Sequence, residues 1–171
     1  MNHKPSIRDY IDLDLLEVLL TEYSHIYQNV CLSIVDLEEK ILIAINFQEI
    51  CKMYHRKHPE TEKRCIESNE IITDLTRKNG YTEYKCKNGL LDIAIPINMD
   101  GVHVATLYTG QIFIKNEINP LESDFREQAK KFGFDEEKYI AAFKKVPTFT
   151  RTEIDELVSK VFNEIIHLLT H

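Results

Sequence analysis

Hydrophobic residues in the first part of the chain recur at steps of three and four positions. The members of this pattern are Ile11, Leu15, Leu16, Val18, Leu19 and Ile26. Such spacing places apolar side chains on one face of a helix, as in amphipathic helices. We therefore predict an N-terminal helix from about Asp9 to Gln28.

The next apolar positions form short runs that are typical of β-strands. Val30 to Val35 and Ile41 to Ile45 flank the polar segment 36–40, which indicates a hairpin. Three further β-rich segments follow later, and the dipeptides Asn88-Gly89 and Asp100-Gly101 between them accept the positive φ of tight turns. These segments are Thr82 to Cys86, Leu90 to Ile97 and Val102 to Ile114. Together they predict a three-stranded meander.

The remaining apolar positions have helical spacing. The predicted helices cover Phe47 to Arg56, a stretch that begins at Pro59 and ends at Asn79-Gly80, then Pro120 to Phe132, Asp135 to Phe143 and Thr150 to Leu169. This order of strands and helices predicts an α+β fold, with one five-stranded antiparallel sheet and helices packed over it.

Length and charge narrow the classes of protein to consider. The 171 residues are enough for one hydrophobic core. The net charge is -7, from 28 acidic and 21 basic residues, and Lys and Arg do not cluster on one segment, so we expect no contact with nucleic acid. No apolar run approaches the roughly 20 residues of a membrane span, and the N-terminus lacks the apolar core of a signal peptide. We therefore expect a cytoplasmic protein without membrane contact.

The chain has four cysteines, at positions 31, 51, 65 and 86. In the cytosol they stay reduced and act as buried hydrophobic residues, metal ligands or redox groups. Cys51 and His55 are four residues apart on a predicted helix, so both side chains leave the same face and can hold one ion. Cys65 and Cys86 complete a Cys3His set, although their spacing differs from the Cys-x2-Cys pairs of zinc ribbons. The alternative is that the thiols pack in the core, to which Cys31 is assigned.

Polar residues of the predicted meander are candidates for contact with a small ligand. Asp92 interrupts an apolar strand, where a carboxylate is costly unless it is hydrogen-bonded or faces a polar ligand. The alternative is a position on the solvated face of the strand. Tyr108, Gly110 and Gln111 provide an aromatic wall, a residue without a side chain, and an amide that donates and accepts. Such a set suits a small polar or amphipathic ligand, although a tyrosine on a strand is also ordinary sheet packing.

The last predicted helix has the spacing of a heptad seam. Its members are Ile154, Val158, Val161, Ile165 and Leu168, at steps of four, three, four and three. We expect this helix to pair with a copy of itself and to form a homodimer. The alternative is one amphipathic helix folded back on its own domain, because only about two heptads are present.

The order of these residues resembles that of the PocR-type sensory domain. The shared features are Cys51 with His55-Arg56, Cys65, Tyr84-Lys85-Cys86 with Gly89-Leu90, Asp92, Ala94-Ile95-Pro96-Ile97, Gly101 and Gly110-Gln111. The resemblance covers roughly Tyr10 to Phe143. Thr109 departs from the pattern, since a smaller or more apolar residue is expected before Gly110-Gln111.

The resemblance implies a variant of the PAS fold that senses small molecules, such as diols and other simple hydrocarbon derivatives, within transcription regulators and histidine kinases. It divides the chain into an N-terminal helix (1–29), a sensory core (30–148) and a C-terminal signalling and dimerisation helix (149–171). It also implies a cysteine–histidine set with Asp92 and Gln111 near the cavity. The candidate ligand-binding residues are therefore Cys51, Tyr54, His55, Cys65, Cys86, Asp92, Tyr108 and Gln111.

Three functions are consistent with these patterns. The first is a non-catalytic sensory domain that binds a small organic ligand and acts on an output domain absent from these residues. The second is a metal or redox sensor that holds zinc or an iron–sulfur cluster, because thiolates bind soft metals strongly. Its ligands would be Cys51, His55, Cys65 and Cys86. The third is a small hydrolase or lyase that uses His55 and Asp92.

Overall fold

An open β-sheet with helices on both faces organises the computed structural model, which describes residues 3–169 apart from the side chain of Leu168. The strands are β1 (Cys31–Val35), β2 (Ile41–Ile45), β3 (Thr82–Lys85), β4 (Leu91–Met99), β5 (Val102–Ile114) and β6 (Thr148–Phe149). The helices are α1 (Leu13–Ile26), α2 (Pro59–Asn79), α3 (Glu122–Phe132), α4 (Glu136–Lys144) and α5 (Arg151–Lys160). A 3-10 turn (Ile7–Asp9) precedes α1, and a π-helical segment (Ile50–His55) precedes α2. A second π-helical turn (Val161–Ile166) and a last turn, α6 (His167–Leu169), continue α5 as one terminal helix.

Five strands form an antiparallel path in the order β2-β1-β5-β4-β3. This arrangement confirms the predicted α+β fold and the PAS-like antiparallel sheet. The short strand β6 was not predicted, and it pairs in parallel with the end of β5 through Phe113 and Ile114. Two residues are too few to show a period of two, so the sequence gives no signal for β6.

The sheet separates two environments, as the alternation along β1 shows. Leu32 and Ile34 are buried in a core that also contains apolar residues of α1 and of the terminal helix. Cys31, Ser33 and Val35 instead face a cavity that α2 covers from the other side. Because successive side chains of a strand point to opposite faces, each face of β1 contributes to one of these environments.

A smaller core forms where α3 and α4 pack against the first π-helical segment and the end of β5. Its buried residues are Ile50, Cys51, Leu90, Phe113, Phe125, Ala129, Tyr139, Ile140, Ala142 and Val146. Phe125 and Phe143 lie close, with ring centroids 4.5 Å apart. This smaller core, here called the aromatic cluster, is separate from the apolar core that contains Leu32 and Ile34.

Capping side chains fix the ends of the helices. Asp12 begins α1 by accepting hydrogen bonds from the backbone N–H groups of Asp14 and Leu15, at 3.0 and 3.2 Å. Thr150 begins α5 by accepting from the N–H of Glu153 at 3.1 Å. Such caps satisfy N–H groups that have no partner within the helix. The cap at Asp12 explains why α1 begins four residues after the predicted start at Asp9.

Within residues 3–169, no helix combines the length and the apolar character that a membrane span requires.

The predicted heptad seam faces the domain's own core. Ile154, Val161 and Ile165 are buried there, and Val158 packs partly buried against the same core. The side chain of Leu168 lies outside the described residues. The terminal helix also contacts α1, since the Tyr23 hydroxyl donates to Glu164 at 2.9 Å. These residues therefore have the arrangement of an amphipathic helix folded back on its own domain.

We expect Ile154→Ala to lower the free energy of unfolding by about 2 to 5 kcal/mol, because the side chain is fully buried and its removal leaves a cavity. The matched control is Val18→Ala, at an α1 position that is 60% exposed, where the change should stay within about 0.5 kcal/mol. Urea denaturation measures both values. Equal losses in the two variants would contradict the assignment of Ile154 to the core.

Candidate ligand-binding site

A cavity of about 190 Å³ lies between the sheet and α2. It is comparable in size to protein cavities of about 150 Å³ that hold one small aromatic molecule. Its polar lining consists of Ser33, Glu39, Arg56, Asn69, Thr73, Asp92, Tyr108, Thr109 and Gln111. Its apolar lining consists of Cys31, Val35, Ile41, Phe47 and Ile72, together with Gly110 of β5. The cavity thus combines hydrocarbon walls with several hydrogen-bonding groups, as small-molecule sites do.

The carboxyl group of Asp92 is a partly buried acid of this cavity. Its Oδ1 accepts a hydrogen bond from the backbone N–H of Gln111 at 3.1 Å. Burial raises the pKa of Asp92 to about 6, although the Gln111 hydrogen bond and the charge of Arg56 both act to lower it. Oδ2 has no hydrogen-bond donor among residues 3–169. One carboxyl oxygen is therefore available to a molecule in the cavity.

Gly110 and Gln111 have the backbone geometry that this contact requires. Pairing between β4 and β5 shifts at Leu91 and Asp92, and Gln111 adopts a positive φ of 54°. A Cβ atom on Gly110 would lie 2.6 Å from Asp92 Oδ1 and 2.7 Å from Asp92 Cα, closer than such atoms approach. Gln111 also accepts a hydrogen bond at its Oε1 from the N–H of Gln48, at 2.6 Å. The irregular end of β5 therefore joins β4 to the loop before the π-helical segment.

Tyr108 of β5 brings a hydroxyl group to the cavity. The hydroxyls of Tyr108 and Thr73 are 3.1 Å apart, which connects the sheet to α2. Thr109 pairs with Leu32 and Ile93, so its side chain faces the apolar core. It is 2% exposed, and its Oγ1 has no partner within the described part of the chain. Thr109 is the position at which the sequence departs from the PocR pattern, and the departure places an unpaired hydroxyl on the core face of the sheet.

The predicted ligand-binding residues fall into two groups. Asp92, Tyr108 and Gln111 line the cavity. The remaining five predicted residues do not line the cavity and lie in or beside the aromatic cluster instead. These are Cys51, Tyr54, His55, Cys65 and Cys86. Tyr54 packs there against the rings of Phe134 and Tyr139, with centroid distances of 5.5 and 5.3 Å.

Three of the thiols lie near one another in this second group. Cys65 Sγ accepts a hydrogen bond from Asn88 at 3.2 Å, and Cys86 Sγ accepts one from the N–H of Leu90 at 3.4 Å. Burial raises the pKa of Cys51 and Cys65, and it raises the pKa of Cys86 to about 12. The thiols therefore stay protonated near neutral pH, whereas nucleophilic and metal-binding cysteines are thiolates.

The imidazole of His55 forms a hydrogen bond with another residue of the domain. Its Nε2 lies 2.7 Å from the hydroxyl of Tyr139, and burial lowers the pKa of the imidazole to about 4, so the ring is neutral. Its Nδ1 is buried without a partner in the described chain.

Residues 3–169 contain no group of three or more His, Cys, Asp or Glu side chains that could hold a metal ion. Zinc or an iron–sulfur cluster on Cys51, His55, Cys65 and Cys86 stays a prediction without geometric support.

Several lining residues were not predicted from the sequence. Cys31 is buried as expected, but it also lines the cavity. Ser33 pairs with Tyr108 across β1 and β5, so the two side chains share a face. Arg56 directly follows His55 in the motif and nevertheless lies at the cavity rather than in the aromatic cluster. The alternation of β1 provides a signal for Ser33, whereas no sequence signal indicates which wall Arg56 faces.

Comparison with known proteins agrees with the sequence resemblance. A family model described as the sensory domain found in PocR matches residues 9–171, nearly the whole chain. No curated protein matches the chain.

We expect Gly110→Ala to destabilise the domain by more than about 2 kcal/mol, because the new Cβ would collide with backbone and carboxyl atoms of β4. The control is Gly101→Ala, where φ is also positive, at 77°, but no atom lies within 4 Å of the added Cβ. It should cost only about 1 kcal/mol. Chemical denaturation measures the difference, and equal costs would show that the contact with Asp92 is unimportant.

The raised pKa of Asp92 predicts a pH-dependent stability. Between about pH 4, the ordinary value for aspartate, and about pH 6, the folded protein binds more protons than the unfolded chain, so stability falls as the pH rises. The loss of folding stability is absent below this pH window and reaches its full value, roughly 3 kcal/mol, above it. The Asp92→Asn variant has no ionisable group at this position, so its stability should not fall in this way. Denaturation of both proteins at pH 4 to 7 tests the prediction, with the exposed turn variant Asp100→Asn as control. Parallel profiles for wild type and Asp92→Asn would contradict the prediction.

Proposed function

The chain belongs to the family of PocR sensory domains, and on this premise we propose that it binds a small organic ligand in the cavity beneath α2. The observation that carries this proposal is the partly buried Asp92 carboxyl, with one oxygen held by Gln111 and the other unpaired within residues 3–169. Withdrawing a carboxyl from water is costly without partners, so an unpaired oxygen that faces a cavity favours a polar ligand there.

We propose a diol or another simple hydrocarbon derivative as the ligand class. Val35, Ile41 and Ile72 offer apolar contact to a short carbon chain. Asp92 offers an acceptor to the ligand's own hydroxyl groups. The cavity volume of about 190 Å³ limits the ligand to a few carbon atoms beyond these contacts.

The sheet provides a route by which occupancy can reach the outer helices. The cavity-facing side chains of β1 alternate with Leu32 and Ile34, which pack in the core with α1 and the terminal helix. A ligand that binds one packing of α2 and the sheet more tightly shifts the population toward it. The shift cannot exceed the difference in binding free energy between the two packings, which is a few kcal/mol.

The proposed role is non-catalytic signalling in the cytoplasm to a transcription-regulatory or kinase output domain. His55 lies in the aromatic cluster and Asp92 at the cavity, so the geometry gives no support to a hydrolase that uses both. A homodimer through the terminal helix would use its exposed residues, since Ile154, Val161 and Ile165 are buried in the core.

A thermal-shift panel of small diols, alcohols and aldehydes tests the ligand proposal. We expect at least one compound to stabilise the wild type, since a ligand that binds only the folded state raises its stability. Ser33→Leu should abolish that shift, because Ser33 is 5% exposed and the larger side chain would occupy the cavity.

The control is Ser123→Leu, at an exposed position on α3 that should leave the shift unchanged. Circular dichroism confirms that both variants are folded. Equal shifts in the wild type and in Ser33→Leu would show that binding occurs elsewhere, and the absence of any shift across the panel would reject the ligand class.

A further inference from the structure

Arg56 is an exposed cation at the cavity whose guanidinium has no hydrogen-bond acceptor within residues 3–169. Its guanidinium stacks on the ring of Phe47, with Cζ 4.8 Å from the ring centroid. Stacking uses the face of the guanidinium and leaves the N–H donors, which lie in its plane, available. In the described part of the chain, Arg56 has no hydrogen bond and no ion pair.

The acids at the cavity do not satisfy Arg56. Glu39 is paired with Arg77, at 3.9 Å. Asp92 is near enough for the charge of Arg56 to lower its pKa, but the two side chains form no ion pair. The cavity therefore has an unpaired cation and an unpaired carboxyl oxygen that do not contact each other. A ligand that contacts both would carry an anionic group and a hydrogen-bond donor.

The second of these groups follows from the proposed ligand class, in which the polar groups are hydroxyls. A hydroxyl on the ligand can donate to Asp92 Oδ2. Thr109 adds no contact, because it pairs with Leu32 and Ile93 and its side chain therefore faces the apolar core.

We propose that the ligand is a short hydroxycarboxylate, whose carboxylate binds Arg56 while its hydroxyl donates to Asp92. The inference rests on the proposed function, because it names the ligand of the same cavity. Guanidinium groups bind carboxylates with two parallel hydrogen bonds, which are stronger than those between neutral groups. A diol of the same chain length makes the contact at Asp92 but leaves Arg56 unpaired.

Isothermal titration calorimetry with three matched pairs tests the proposal. The pairs are 2-hydroxypropanoate with propane-1,2-diol, 3-hydroxybutanoate with butane-1,3-diol, and 4-hydroxybutanoate with butane-1,4-diol. We expect at least one hydroxycarboxylate to bind the wild type about tenfold more tightly than its diol. Arg56→Met should remove this advantage and leave the affinity for the diol unchanged.

The control is Arg64→Met, because Arg64 is also an arginine stacked on an aromatic ring, with Cζ 5.0 Å from the centroid of Phe132, but it does not line the cavity. It should keep the preference for the hydroxycarboxylate. If the diols bind as tightly as their partners, or if Arg56→Met weakens both members of a pair equally, the carboxylate assignment is overturned and the cavity remains a ligand site. If no member of any pair binds at millimolar concentration, the inference is also overturned, and the panel with Ser33→Leu decides the proposed function separately.

Discussion

A partly buried carboxyl group packed directly against a glycine determines how the two longest strands of this domain meet. Because Gly110 has no side chain, the Asp92 carboxyl can lie over the backbone of β5 and accept a hydrogen bond from Gln111. The same irregularity turns the Gln111 amide toward Gln48, ahead of the π-helical segment. One local contact thus connects the sheet, the cavity and the chain that leads into α2. Its cost is the burial of an acid, which only partners in or beside the cavity offset.

The sheet is both the floor of the cavity and the support for the outer helices. Alternate residues of one strand serve the two purposes, so a displacement of the sheet under a ligand is felt in the apolar core on the other face. Cys51, Cys65 and Cys86 occupy a third region, around His55 and Tyr139, where burial keeps the thiols protonated. Ligand contact and thiol packing are therefore separate features of the fold, even though their residues are interleaved along the chain.

Sequence patterns predicted the strands better than they predicted the site. The bounds of β5, Val102–Ile114, follow from a turn dipeptide and a long apolar run, both of which are local properties. Heptad spacing in the last helix indicated an apolar stripe correctly, but a stripe has the same spacing whether its partner is another chain or the domain's own core. The positions of Cys51 and Asp92 along the chain likewise cannot show that they lie on different walls. That Arg56 lacks a partner is a property of the folded structure alone.

The π-helical turn at Val161–Ile166 changes the direction in which the terminal helix presents its residues. An α-helix advances by about 100° per residue, so accommodating one additional residue in a turn offsets the azimuth of every later residue by about that angle. The terminal helix thus presents its last turn, α6, at an azimuth that a regular α-helix of the same residues would not give.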